Sequence, residues 1–115
     1  MSIQELAKSF TGLCAAGKFD QAGEQYWSEA VVSREPMGAV ATGLAAVIEK
    51  GKGWAANHEI HGVKIEGPFV SGDQFIVRFT MDITAKEHGR MTMDELGVYT
   101  VKDGKIVEEL FFYAS

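Results

Sequence analysis

The sequence is short of the residues that staple, anchor or interrupt a fold. A single cysteine, Cys14, excludes an internal disulfide and fits a reducing compartment, the cytoplasm. No apolar run approaches the ~20 residues that cross a bilayer. The opening Met1-Ser2-Ile3-Gln4-Glu5 has no basic stretch ahead of an apolar one, so neither membrane anchor nor signal peptide is expected. Positive charge is in the minority: 11 Lys+Arg against 16 Asp+Glu give a net charge of −5. A nucleic-acid partner needs a basic face to displace counterions and is not expected.

The motifs of cofactor and metal chemistry are missing too. Gly51-Lys52-Gly53 lacks the spacing and the Ser/Thr of a phosphate loop. There is no G-x-S-x-G, no dinucleotide fingerprint and no cysteine beside a histidine. His58-Glu59-Ile60-His61 is one residue short of the zinc motif, and at the head of a strand its two histidines point to opposite faces. No metal and no organic cofactor is implied.

What is present is a single domain, residues 1–115, with 46% hydrophobic and 23% charged residues. A chain of this size buries roughly two-thirds of its unfolded surface. Ser2 and Glu5 form a capping box ahead of Ile3, Leu6, Ala7, Phe10, Leu13 and Cys14, which share one helical face. The spacing predicts helices over Ser2–Ala16, Asp20–Glu29 and Thr42–Ala56, the last capped by Thr42. Cys14 reads as a small core hydrophobe. Ala30–Arg34 reads as a short strand, broken by Glu35-Pro36-Met37-Gly38. From His58 the period becomes two, with turn chemistry at Gly67-Pro68, Ser71-Gly72-Asp73, Glu87-His88-Gly89 and Lys102-Asp103-Gly104. Helices first and antiparallel strands afterwards describe an α+β domain with helices on one face of a sheet.

Carboxylates and aromatics in the strands are the candidates for chemistry. Glu95 and Tyr99 share one side of their strand; Glu109, Phe111 and Tyr113 share one side of the last, with Glu108 opposite. Either the Glu95/Tyr99 side or the Asp94/Leu96 side faces the helices, and alternation alone leaves both open; Asp82 has the same ambiguity. A carboxylate turned to an apolar concave face carries a raised pKa and becomes a general acid or base. Tyr26, Trp27 and Trp54 are either core or pocket residues.

Ala16-Gly17-Lys18-Phe19-Asp20 followed by Gln25-Tyr26-Trp27, the bend Glu35-Pro36-Met37-Gly38, and the ending Val98 to Glu109 resemble the nuclear transport factor 2-like superfamily, in its SnoaL-like branch. The resemblance spans nearly the whole chain. It implies a cone, or cystatin-like roll: a strongly curved antiparallel sheet whose concave face is covered by three N-terminal helices around a deep, mostly apolar pocket. It also implies a homodimer formed through the outer face of the sheet. In the ketosteroid isomerase-like branch an acidic residue directly before a Pro-x-Gly bend is the general base, and Glu35 matches it. Tyr26 matches a pocket tyrosine. The oxyanion-donating tyrosine is replaced by Phe10, and its partner acid falls at Leu96 or Gly97, so steroid isomerisation by that route is not expected.

The resulting expectation is a cofactor-independent isomerase, cyclase or lyase acting on a small apolar or carbonyl-bearing molecule. Glu35 or Glu95 moves the proton; Tyr26, Tyr99, Tyr113 or His58 orients the carbonyl oxygen. Phe10, Trp27 and Phe111 form the walls, with Trp54 and Glu109 also in the pocket. The alternative is a non-catalytic homodimeric binding module for an apolar metabolite. Two accounts of Glu35 stand side by side: a carboxyl raised by apolar Met37, Val31 and Val32, or a bend residue paired with Arg34 or another cation. Large apolar residues on both faces of the strands (Phe75, Val77 and Phe79 against Ile76; Phe111 against Leu110 and Phe112) favour a covered outer face.

Overall fold

The computed structural model describes residues 1–114. Its elements run α1 (Ile3–Ala15), α2 (Phe19–Tyr26), β1 (Trp27–Arg34), β2 (Val40–Thr42), α3 (Leu44–Asn57), β3 (His58–Ser71), β4 (Gln74–Ala85), β5 (Gly89–Lys102) and β6 (Lys105–Tyr113). The six strands form one curved sheet in the order β2-β1-β6-β5-β4-β3, with three helices, an α+β architecture. No helix among the described residues is long and apolar enough to cross a membrane.

The capping box forms: the Glu5 backbone N–H donates to Ser2 Oγ at 3.2 Å, and the Ser2 N–H donates to Glu5 Oε1 at 3.4 Å. α1 then turns Leu6, Ala7, Phe10 and Cys14 into the core against Phe75, Val77, Phe79 and Ile83 of β4. The Asp103-Gly104 hairpin has φ of +52° and +75° at its two central residues, the sign pattern of a type I′ turn, and Lys102 pairs with Lys105 across it.

Four local expectations are corrected. α2 ends at Tyr26 rather than Glu29, because Trp27 is already extended and pairs with Ile106. α3 is not capped by Thr42, which lies in β2 opposite Val32; Gly43 precedes the helix at φ +91°, with no side-chain cap. Gly67-Pro68 is not a turn. β3 runs through it with a register shift between Glu66 and Phe69, since proline has no N–H for the ladder. The sheet is antiparallel except for one parallel pair, β1 with β6, because the first strand is laid beside the last.

Candidate active site

A cavity of about 460 Å3 lies between the helices and the concave face of the sheet. The β4–β5 register decides which residues reach it. Glu95 pairs with Phe79 and Tyr99 with Phe75, and both phenylalanines are buried, so Glu95 and Tyr99 are on the inner face and Asp94 and Leu96 on the outer. β6 continues the same rows: Tyr113 lies opposite Glu95, Phe111 opposite Gly97, and Glu109 opposite Tyr99. An extra residue, Val107, sits between the pairs Val101–Ile106 and Thr100–Glu108. This bulge turns both Ile106 and Glu109 inward and leaves Glu108 outside, paired with Arg34 at 3.2 Å.

Phe10, Trp27, Trp54 and Phe111 line the cavity as apolar wall, and Glu35, Glu95, Tyr99, Glu109 and Tyr113 as its polar members. Two expected residues are not on the wall. The Tyr26 hydroxyl is turned away and donates to Ser9 Oγ, while Gln25 donates to it. His58 stacks on Trp54, ring centroids 4.3 Å apart, and its Nδ1 is 2.7 Å from the Trp54 carbonyl oxygen, so that nitrogen carries the proton. His61 lies on the outer face, 2.6 Å from Thr84 Oγ1.

Lys50, a residue that alternation did not single out, organises the polar end. Its Nζ is 2.5 Å from Glu35 Oε1 and 2.6 Å from Ser33 Oγ, and it lies 5.1 Å over the Phe111 ring. Ser33 in turn donates to Glu109 Oε2 at 2.8 Å, and Trp27 Nε1 donates to Glu109 Oε1 at 2.8 Å. Trp27 is held for this by Gly23: a Cβ there would fall 2.4 Å from the indole. The bend carboxylate therefore has a cation, Lys50, while Arg34 serves Glu108 instead; Met37 is 76% exposed and gives Glu35 no apolar cover.

The surroundings set the protonation states. Burial pushes the Glu95 carboxyl up to about 7, with the Glu35 charge adding and Lys50 opposing. Burial likewise raises Glu109, against the hydrogen bonds from Ser33 and Trp27. Tyr99 is raised well above the ordinary phenol range by burial and then by Glu109. Tyr113 is pushed up to about 12 by burial and by the neighbouring Glu35. Both phenols thus stay protonated near neutral pH and can donate. The Cys14 thiol, pushed up to about 12 by burial and then Glu109, is an inert part of the wall. Among the described residues no three His, Cys, Asp or Glu side chains gather as a metal would require.

The family model of the SnoaL-like domain matches residues 1–113. This chain belongs to the SnoaL-like domain family. Among solved structures, the SnoaL-like domain is similar to a Mesorhizobium loti protein whose name carries both SnoaL-like polyketide cyclase and carbohydrate phosphatase. The two share 48% identity over 98% of this chain and 100% of that one, with a TM-score of 0.94. A Burkholderia pseudomallei nuclear transport factor 2-like protein of unknown function shares the fold at 15% identity, covering 99% of this chain and 92% of its own, TM-score 0.82. A Xanthomonas campestris protein of cystatin-like fold does so at 20% identity, covering 100% and 92%, TM-score 0.81. No curated protein matches this chain.

Proposed function

We propose that the SnoaL-like domain is a cofactor-independent acid–base enzyme of the isomerase, cyclase or lyase kind. Its substrate is a small apolar carbonyl compound, and Glu95 is the proton-transfer group. The observation that carries this reading is the position of Glu95: a carboxyl on the cavity wall, directly across from Tyr113 and on the same strand face as Tyr99. Its pKa of about 7 lets it both accept and return a proton near neutral pH. The ionised carboxylate takes a proton from the carbon next to the carbonyl. A Tyr99 or Tyr113 hydroxyl donates to the oxygen as negative charge develops there, a task that Phe10 cannot perform. The protonated Glu95 then returns the proton to another carbon or to the leaving group.

The test is exchange of the α-hydrogens of 2-tetralone in D2O, followed by proton NMR. Exchange is expected above the buffer rate, rising with pH about a midpoint near 7. In Glu95→Gln it should fall by roughly 10²–10⁴-fold. Binding of 2-tetralone without exchange would instead identify a non-catalytic binding module, the alternative that the Lys50-occupied Glu35 favours.

The macromolecular partner we infer is a second copy of this chain on the outer sheet face. Ile76, Leu96 and Phe112 are 39%, 41% and 49% exposed there. They are bordered by the pair Arg34–Glu108 and by Arg78, which is shared by Asp94 and Glu66, so the charges beside the apolar patch are paired within one copy and can stay at its rim. Sedimentation at micromolar concentration should show a dimer, and Leu96→Asp with Phe112→Asp should give a monomer. A monomeric wild type would refute the pairing.

A further inference from the structure

Proton transfer to Glu95 leaves negative charge on the substrate oxygen, and the phenols of the site answer it with neutral hydrogen bonds. The Tyr113 hydroxyl is shared with the Glu35 carboxylate, and Tyr99 is only 2% exposed. Trp27 Nε1 and the Ser33 hydroxyl are both engaged by Glu109. Lys50 differs from all of these. An ammonium carries three N–H donors. At Lys50 two are taken, by Glu35 Oε1 and Ser33 Oγ. The Phe111 ring, 5.1 Å away, attracts the charge through its face and takes no hydrogen bond at that distance. Among the described residues nothing accepts from the third N–H. The side chain is 30% exposed and lines the cavity, so a ligand held there can reach it.

The register places this donor beside the proton acceptor. Tyr113 pairs with Glu95 and Phe111 with Gly97, so the ring beneath the ammonium is the diagonal neighbour of Glu95 on the inner face. Diagonal neighbours stand roughly 7–8 Å apart, within reach of long side chains. A carbonyl oxygen and the carbon next to the carbonyl are about 2.4 Å apart, and each needs its partner at ~3 Å. A ketone therefore fits between the two groups, its oxygen toward Lys50 and its C–H toward Glu95. Lys50 is close enough to favour the ionised form of Glu95. Glu35, Ser33 and Phe111 fix the ammonium before a substrate arrives, so it need not reorganise as charge develops.

Resting on the reading of this cavity as the site of proton transfer by Glu95, we propose that Lys50 is a second catalytic residue, the cationic donor to the developing enolate oxygen. The C–H bond breaks and its proton goes to the Glu95 carboxylate. The C–H electron pair becomes the C=C bond, and the carbonyl π pair moves onto oxygen. That oxygen accepts the third Lys50 N–H, and Lys50 keeps its proton throughout. The net charge of the cavity is the same before and after the step. What changes is distance: negative charge leaves Glu95 and arrives in contact with the ammonium. The attraction is therefore stronger in the transition state than in the ground state, the condition for accelerating the chemical step. Return of the proton from Glu95 to carbon reverses each movement.

Exchange of the 2-tetralone α-hydrogens in wild type, Lys50→Met and Lys50→Arg, measured against pH and ketone concentration, tests this. Rates are compared on the plateau above each protein's own Glu95 midpoint, which removes the effect of Lys50 on that titration. Lys50→Met is expected to lower the plateau kcat about 10²–10³-fold while KM changes less than about threefold. Lys50→Arg, which keeps a cationic donor, should recover to within about tenfold of wild type. A lysine that only supports the fold would leave the plateau kcat within about threefold. 2-Naphthol, whose ionised form carries its charge on oxygen as an enolate does, gives a readout without turnover. Its naphtholate absorption should appear on the wild type at a pH lower by about one unit or more than on Lys50→Met. Lys50→Gln, also uncharged, takes the place of Lys50→Met in both measurements should that variant fold poorly. A plateau kcat or a naphtholate transition that is unchanged when the charge is removed overturns the assignment of Lys50 and leaves Glu95 in place. Absence of exchange in the wild type overturns the proton-transfer reading and the part of Lys50 with it.

Discussion

At pH 8, Glu95→Gln is expected to gain about 2–3 kcal/mol in unfolding free energy on the wild type, relative to the difference between them at pH 4. The carboxyl has its ordinary value of 4.5 when the chain is unfolded and about 7 when folded, because burial and the Glu35 charge disfavour its ionised form. A carboxyl raised by folding contributes stability that is complete below its unfolded value and is lost as pH climbs through the folded one. Between those values the unfolded chain releases a proton that the native state keeps, so wild-type stability falls. Glutamine has no proton to release, and this slope disappears. Glu109, raised in the same direction, adds a slope of its own to both proteins. Urea denaturation of both proteins at pH 4, 6 and 8 measures the gap directly. Parallel stability curves over that range would show that Glu95 titrates as it does in water. A residue that destabilises the fold when ionised is retained at the expense of stability, as expected of a group kept for function.

Lys50→Met is expected to act on stability and on titration together. Removing the ammonium leaves the Glu35 carboxylate, only 20% exposed, with no cation, and takes a donor from Ser33. The cost should be about 2 kcal/mol, between that of a solvated pair and a buried one. Lys50 also holds Glu95 down, so its loss should move the Glu95 midpoint above 7. Carbonyl-13C NMR titration of Glu95 reads the second effect independently of the first. Lys50→Arg, which keeps the charge, should retain most of the wild-type midpoint. A midpoint unchanged in Lys50→Met would mean that this charge does not reach Glu95.

The order of helices and strands was legible because it rests on local chemistry: the Ser2–Glu5 box, the Asp103-Gly104 turn, and the alternation from Phe75 to Ile83. The inner face of β5 was not. Turn chemistry in the sequence extends over Glu87-His88-Gly89, whereas Ala85 pairs with Gly89 and the loop proper is Lys86–His88. In a hairpin a single residue of uncertainty exchanges the two faces, and so exchanges Glu95 for Asp94. Lys50 carries a signal in its spacing. It shares a helical face with Val47, Gly51 and Trp54, at spacings of three and four, so a cation stood within an apolar stripe. The partners of Glu35 have no trace in the sequence, because Lys50 and Tyr113 arrive from different elements.

The parallel pairing of β1 with β6 also dictates when the site can exist. Trp27 and Ser33 wait for Glu109, which lies 82 and 76 positions further along the chain. During synthesis the helices, the first two strands and the whole β3–β4–β5 meander leave the ribosome before it. Until β6 threads between β1 and β5, a nascent chain has Glu35 and Glu95 but neither Glu109 nor Tyr113. Competence for chemistry arrives with the final ladder and is withdrawn first by any cut or fraying that releases it.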